Sequence, residues 1–233
     1  MTSGVEMDKR HVFGEPKWVM TFGQQFRFET MSILGKVLEP LRPKSTKNQK
    51  YLHVGCGDIF LKGFLNVDFY SPKLVVKRVL RIAPRDVKFR GHDFRRQLPF
   101  RDSSFLGAFS EHTLEHLDPW HAQRLLREIR RVLKAGSKLR IVVPNLDSYL
   151  QFCSGEEPDK AFSKFEGRAE AIWCLTQNWG HQSVWNFDNL EKALKNAGFK
   201  SVERVSFGFG RDSNLINDLP RRKWESLYVE AEV

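Results

Sequence analysis

The chain has 233 residues, 41% of them hydrophobic and 28% charged. That balance suits one globular domain with trimmings and excludes a largely disordered chain. Thirty-eight Lys and Arg against 28 Asp and Glu give a formal charge of +10, which attracts phosphorylated molecules, nucleic acid or an acidic membrane face without choosing among them.

No apolar run approaches the roughly 20 residues that cross a bilayer, and Met1 to Arg10 lack the apolar core of a secretory signal. Three scattered cysteines, Cys56, Cys153 and Cys174, predict neither a disulfide framework nor a zinc site. The expectation is a reduced, soluble, cytoplasmic protein.

Residues 1–50 read as an appendage. Phe26, Met31, Leu34, Leu38 and Leu41 fit a loose helical stripe, broken by Pro40, Pro43 and the polar run Lys44 to Lys50. From Tyr51 the pattern sharpens. Tyr51 to Val54 reads as a buried strand feeding the tight turn Gly55-Cys56-Gly57-Asp58. Phe64 to Val67 is a second strand ending at Asp68, and Val87 to His92 a third ending at Asp93. Gly107 to Ser110 is a fourth, ending at Glu111-His112.

An amphipathic helix follows from about Trp120 to Lys134. Leu125, Leu126, Ile129, Val132 and Leu133 line one face, and Arg124, Arg127, Arg131 and Lys134 the other. Asp118-Pro119 starts this helix and Ala135-Gly136 stops it. Leu139 to Val143 is a fifth strand. Residues 146–185 are irregular in pattern, with Trp173, Trp179 and Trp185. Phe187 opens a last helix that stops at Gly198, and Val202 to Phe207 and Leu227 to Ala231 are two more strands.

Strands alternating with helices predict an α/β, Rossmann-like, doubly wound sheet. Such sheets bind ligands beyond the carboxyl ends of their strands. Here four successive strands deliver glycine or charge to one edge: Gly55 and Gly57, Asp68, Asp93, and Glu111 with His112. A glycine turn lets backbone approach a ligand, and an acid ending the second strand suits ribose hydroxyls. The G-x-G-x-x-G fingerprint is incomplete, because position 60 is Phe. The acid also arrives about half as far downstream as the usual ~20 residues. That spacing leaves little room for a pyrophosphate-binding helix, which argues against NAD or FAD and for a cofactor without phosphates.

These stretches resemble class I S-adenosylmethionine-dependent methyltransferases, in a compact branch of the methyltransferase type 11 kind. Leu52 to Asp58 and Gly63 to Asp68 resemble the first two motifs. His92-Asp93 with Leu98 to Phe105, Ser110 to Leu117, Leu126 to Gly136, and Phe187 to Phe199 resemble later motifs in order. The likeness covers roughly 51–207. His53 stands where the family often has an acid, Ile59 at the third glycine position, and Leu106 where Asp is usual. Ala135 and Ser137 replace Pro and Gly.

The resemblance implies about seven strands, mostly parallel, and S-adenosyl-L-methionine as cofactor. By it Asp68, with Phe69 beside it, would hold the ribose hydroxyls. Asp93 and the Phe94 backbone would face the adenine amino edge. The Gly55-Cys56-Gly57 turn and His53 would lie under the methionine part, and Ser110 and Glu111 near the sulfonium. The domain reading is 1–50 as appendage and 51–233 as methyltransferase domain, with 146–186 as a lid insertion over the acceptor.

A hydroxyl or amine acceptor must lose a proton, and histidine suits that at neutral pH. His112, His116 and His181 are the candidate bases, each set against a purely structural role. His112-x-x-Glu115-His116 also matches an inverted zinc-protease pattern. That reading needs a helix carrying both histidines, and Pro119 cuts it short, so no metal is expected. The basic run from Lys73 to Arg101 could face a phosphorylated or sugar-nucleotide acceptor, or simply solvent. The resulting expectation is methyl transfer to O or N of a small molecule, with sugars, glycan precursors and anionic molecules foremost. A nucleic-acid or protein methyltransferase and a non-catalytic S-adenosylmethionine-binding module are the alternatives.

Overall fold

The structure is a computed structural model that describes residues 22–38, 49–69 and 88–233. Pro40, Leu41, Pro43 and the basic residues from Lys73 to Arg85 lie outside the described residues. Among those described, seven strands form one sheet: β1 (Tyr51–Val54), β2 (Phe64–Asp68), β3 (Lys88–Gly91), β4 (Phe105–Glu111), β5 (Leu133–Pro144), β6 (Ser201–Val205) and β7 (Ser226–Glu232). Their order is β3-β2-β1-β4-β5-β7-β6. Strands β1 to β5 pair in parallel, and β7 runs antiparallel to both neighbours. This is the expected doubly wound, mostly parallel sheet. Its order reverses between β1 and β4, which puts the ligand crevice at the ends of those two strands.

Among the described residues, five α-helices accompany the sheet: α1 (Phe22–Leu38), α2 (Pro119–Val132), α3 (Leu146–Ser154), α4 (Arg168–Thr176) and α5 (Phe187–Ala197). Asp118 caps α2 by accepting from Trp120 N and His121 N at 3.0 and 3.1 Å. A reciprocal Asn186–Asn189 capping box starts α5, and Gly198 at φ 97° ends it. Leucines of α2 and α5 pack with Val54, Ala108, Ile141 and Val229 in the main core. Each fully buried aliphatic side chain there contributes about 1.5–3 kcal/mol. Phe64, Phe109, Val142, Leu215 and Tyr228 form a second core cluster.

Three local expectations change. The α2 helix ends at Val132, before Ala135-Gly136, because Leu133 is already extended and pairs with Phe105. The next pairing is Gly107 with Lys138, so 134–137 form a bulge within β5, with Gly136 at φ 76°. The polar composition of that bulge hid the early strand. Residues 146–176 are not irregular, since α3 and α4 enclose a small core of Tyr149, Phe162, Phe165, Ala171 and Leu175. Helices of nine residues show too few periods for the pattern to register. The helical stripe of α1 is not its packing face either. Phe26 is 67% and Leu34 46% exposed, while Phe28, Glu29 and Ser32 make the contacts described below.

One buried ion network shapes the crevice. Arg140 of β5 is fully buried. Its Nε and Nη2 reach Asp218 at 2.7 and 2.6 Å, and its Nη1 reaches Glu230 at 3.1 Å. The Phe209 and Ser206 carbonyls accept its other two N–H groups, so all five guanidinium donors are used. The network pins the loop between β6 and β7, which carries Leu219 to Arg222 to the crevice.

Candidate cofactor and acceptor site

The turn after β1 is anchored by β2, since Gly55 N and Cys56 N both donate to Val67 O, at 2.9 and 3.2 Å. Gly55 sits at φ 75°, and a Cβ there would fall 1.8 Å from Thr113 Oγ1. Its glycine is therefore required by Thr113 behind it. Gly57, at φ 49°, would meet nothing within 4 Å, so its backbone is open to a ligand. Cys56 is buried, which pushes its thiol far above the usual range and leaves it without nucleophilic character.

Asp68 closes the turn. Its Oδ2 accepts from Gly57 N at 2.5 Å and its Oδ1 from Phe69 N at 2.6 Å. Burial raises its pKa, and these two donors act against that. Each oxygen keeps a lone pair for a further donor. His53 lies mid-strand in β1, with Nδ1 3.0 Å from Asn66 Oδ1. Burial lowers its pKa to about 4, so the ring is neutral and donates to Asn66.

Asp93 is buried and bound within the protein. Ser32 Oγ donates to it at 2.5 Å, and Arg95 reaches it through Nε at 3.1 Å and Nη2 at 2.8 Å. These donors hold Asp93 below its usual carboxylate range despite desolvation. Arg95 also bridges to Glu29 of α1 at 2.8 Å, and its guanidinium lies 4.9 Å from the Phe28 ring centroid. Phe28 in turn stacks on Phe69 at 3.9 Å and 15°. Helix α1 is therefore fastened to the rim by polar anchors and one aromatic stack. Phe94, buried beside Asp93, packs edge-on to His92 at 6.4 Å.

The end of β4 supplies the other wall. Glu111 is buried and accepts from Leu219 N at 3.1 Å. Burial pushes its carboxyl up to about 7, against the pull of that N–H and of Arg222 and Arg221. His112 adopts φ 48°. Arg222 Nη1 donates to its Nδ1 at 2.8 Å, so its Nε2 carries the hydrogen toward Ser226 Oγ, also at 2.8 Å. Burial holds it neutral with a pKa of about 3. Both ring nitrogens are committed, and His112 has none free for an acceptor proton. Ser110 is buried in β4, paired with Val54 and Ile141, and does not reach the cavity wall.

One cavity of about 1230 Å³ joins these parts. Its walls include His53, Gly55, Cys56, Gly57, Asp68, Phe69, Asp93, Phe94, Glu111, His112 and His116. His181 is not itself on the wall, but its neighbours Gly180 and Gln182 are, and its ring lies 5.1 Å from that of His116. Sequence reasoning missed Phe28, Glu29, Arg221 and Arg222, which also line the cavity. Phe28 and Glu29 lie off the apolar stripe, and the two arginines follow Pro220 in a stretch without periodicity.

A family model for methyltransferase domains matches residues 24–204. The chain belongs to the class I S-adenosylmethionine-dependent methyltransferase family. An uncharacterised protein of Methanocaldococcus jannaschii is 32% identical over 139 residues, which is 58% of this chain and 56% of that protein. The chain thus spans little more than half the length of that relative. Two solved structures share the fold at TM-score 0.50 and 16% identity. One is from the complex of the Haloferax volcanii Trm112 methyltransferase activator with a methyltransferase, covering 91% of this chain and 94% of that one. The other is an Archaeoglobus fulgidus S-adenosylmethionine-dependent methyltransferase, covering 91% and 100%.

S-adenosylmethionine is the cofactor of this family, and the methyltransferase crevice suits it. Gly57 is an open backbone cradle, Asp68 has lone pairs to offer, and the wall acids Asp58, Asp68 and Glu111 favour a cationic sulfur. Among the described residues, no helix is long and apolar enough to cross a membrane.

Proposed function

We propose that the protein transfers a methyl group from S-adenosylmethionine to an oxygen or nitrogen of a small molecule. The observation that supports this reading is a single cavity bordered both by the Gly57–Asp68 cradle and by Arg221 and Arg222. At about 1230 Å³ it exceeds the roughly 300–1,000 Å³ of an ordinary small-molecule pocket. Cofactor and acceptor can therefore lie side by side.

The bound cofactor supplies an already activated methyl group. Asp68 would hold the ribose hydroxyls, and Gly57 would let the chain approach closely. Phe69 and Phe94, on the same wall, would hold the adenosine, and His53 would border the methionine part. Asp93 acts through Arg95 and Ser32, holding α1 against the cofactor. The rest of 1–50 is read as the appendage of a methyltransferase domain spanning 51–233, and 146–186 as a lid carrying Trp179 and Gln182 to the cavity.

Arg221 and Arg222 select an acceptor with an anionic group, such as an acidic sugar or a phosphorylated glycan precursor. Glu111, with its pKa raised to about 7, is the wall group placed to take the acceptor proton. The test is formation of S-adenosylhomocysteine from the purified chain with a panel of anionic sugars and neutral sugars. Turnover with anionic sugars, weakened by Arg221→Ala, supports the reading. Turnover only with RNA or protein refutes it, and so does failure to bind S-adenosylhomocysteine.

A further inference from the structure

The turn Leu114–His116 and the loop around His181 are stitched together by backbone bonds. Gln182 N and Ser183 N both donate to Glu115 O, at 2.7 and 3.1 Å, and Gln182 Nε2 donates to His116 O at 2.7 Å. This places one ligating atom each from Glu115, His116 and His181 within 4.8 Å of the others. Glu115 is 1% exposed, and neither of its side-chain oxygens has a hydrogen-bond partner. Such a carboxylate requires compensation, because burying an unpaired charge is very costly.

His112 cannot supply that. His112 Nδ1 lies 3.3 Å from Glu115 Oε1, but it already accepts from Arg222 and carries no hydrogen. The two histidines beside Glu115 point the same way chemically. His181 Nδ1 donates to Leu175 O at 2.6 Å, which leaves Nε2 with a free lone pair. A backbone carbonyl fixing the other nitrogen is the usual support of a ligating histidine. His116 follows Glu115 directly, and burial lowers its pKa from the ordinary histidine value.

We infer that Glu115, His116 and His181 form a binding site for a divalent first-row transition-metal ion such as Zn²⁺. Two imidazoles and one carboxylate are a donor set such ions favour, and three protein ligands leave a position open. Ligand atoms around tetrahedral zinc lie about 3.4 Å apart, so the three groups close by at most about 1.4 Å on the ion. His116 also lines the cavity, which sets the ion at its wall. The site differs from the pattern His112-x-x-Glu115-His116. His112 is turned to Arg222, and the third ligand comes from His181, far along the chain. Metal binding here stands independently of methyl transfer.

The test uses the full chain stripped with chelator and titrated with Zn²⁺ by calorimetry and with Co²⁺ by visible absorption. One equivalent per chain is expected, with Co²⁺ bands of nitrogen and oxygen ligation. Glu115→Gln and His181→Ala should each weaken binding at least about tenfold. Should Glu115→Gln fail to fold, His181→Ala decides, because that ring is only half-buried. Three results overturn the site. One is absence of binding by the wild type, which would mean that burial alone keeps Glu115 protonated. The others are thiolate charge-transfer bands, which place the ion on a cysteine, and undiminished affinity in both variants.

Discussion

Asp68→Asn is the sharpest probe of the cofactor site. The carboxylate now accepts from Gly57 N and Phe69 N, one on each oxygen, and faces the cavity. Asparagine keeps the shape but has one acceptor oxygen and an NH2 group. One backbone N–H of the turn then faces another donor, and the ribose hydroxyls lose a charged acceptor. Losing one hydrogen bond to a charged group costs about 1.5–3 kcal/mol. That corresponds to about a 10- to 150-fold rise in Kd, and loosening of the turn acts in the same direction. Titration calorimetry with S-adenosylhomocysteine measures it, with circular dichroism to confirm the fold. Asp58→Asn is the control for net charge, since Asp58 is exposed on the same wall. It should change affinity by less than about fivefold. Unchanged affinity in Asp68→Asn would show that the end of β2 does not hold the cofactor.

Three further outcomes test other links. Glu111 should give kcat/KM an ascending limb near pH 7, because its raised carboxyl must ionise to accept a proton. Glu111→Gln should remove that limb and reduce turnover by about 10²–10⁴. The same shift bears on stability, because the folded state binds the proton more tightly than the unfolded chain. Wild type should therefore lose stability relative to Glu111→Gln as pH rises from 4.5 to about 7, as read from urea denaturation at several pH values. Arg140→Met leaves Asp218 and Glu230 buried without their shared guanidinium. It should cost about 3–5 kcal/mol in urea unfolding; a smaller loss would show that water replaces the arginine.

The sequence by itself determined the strands, their approximate limits and the edge on which Gly57, Asp68, Asp93 and Glu111 gather. These features depend on local periodicity and on polar residues at strand ends, and both are written in consecutive residues. It missed the early start of β5 and the helices α3 and α4, where polar loops and short lengths mask the period.

Only tertiary structure decided what the charged groups do. Asp93, at the cavity wall, is bound to Arg95 and Ser32, and His112 is committed at both nitrogens. Arg221 and Arg222 arrived through a loop pinned by Arg140, and Glu115 was left buried beside two histidines. These outcomes depend on which donor stands opposite which acceptor across a fold. Ser32 and Asp93, His112 and Arg222, and Glu115 and His181 are separated by tens of residues, and no local pattern encodes those pairings.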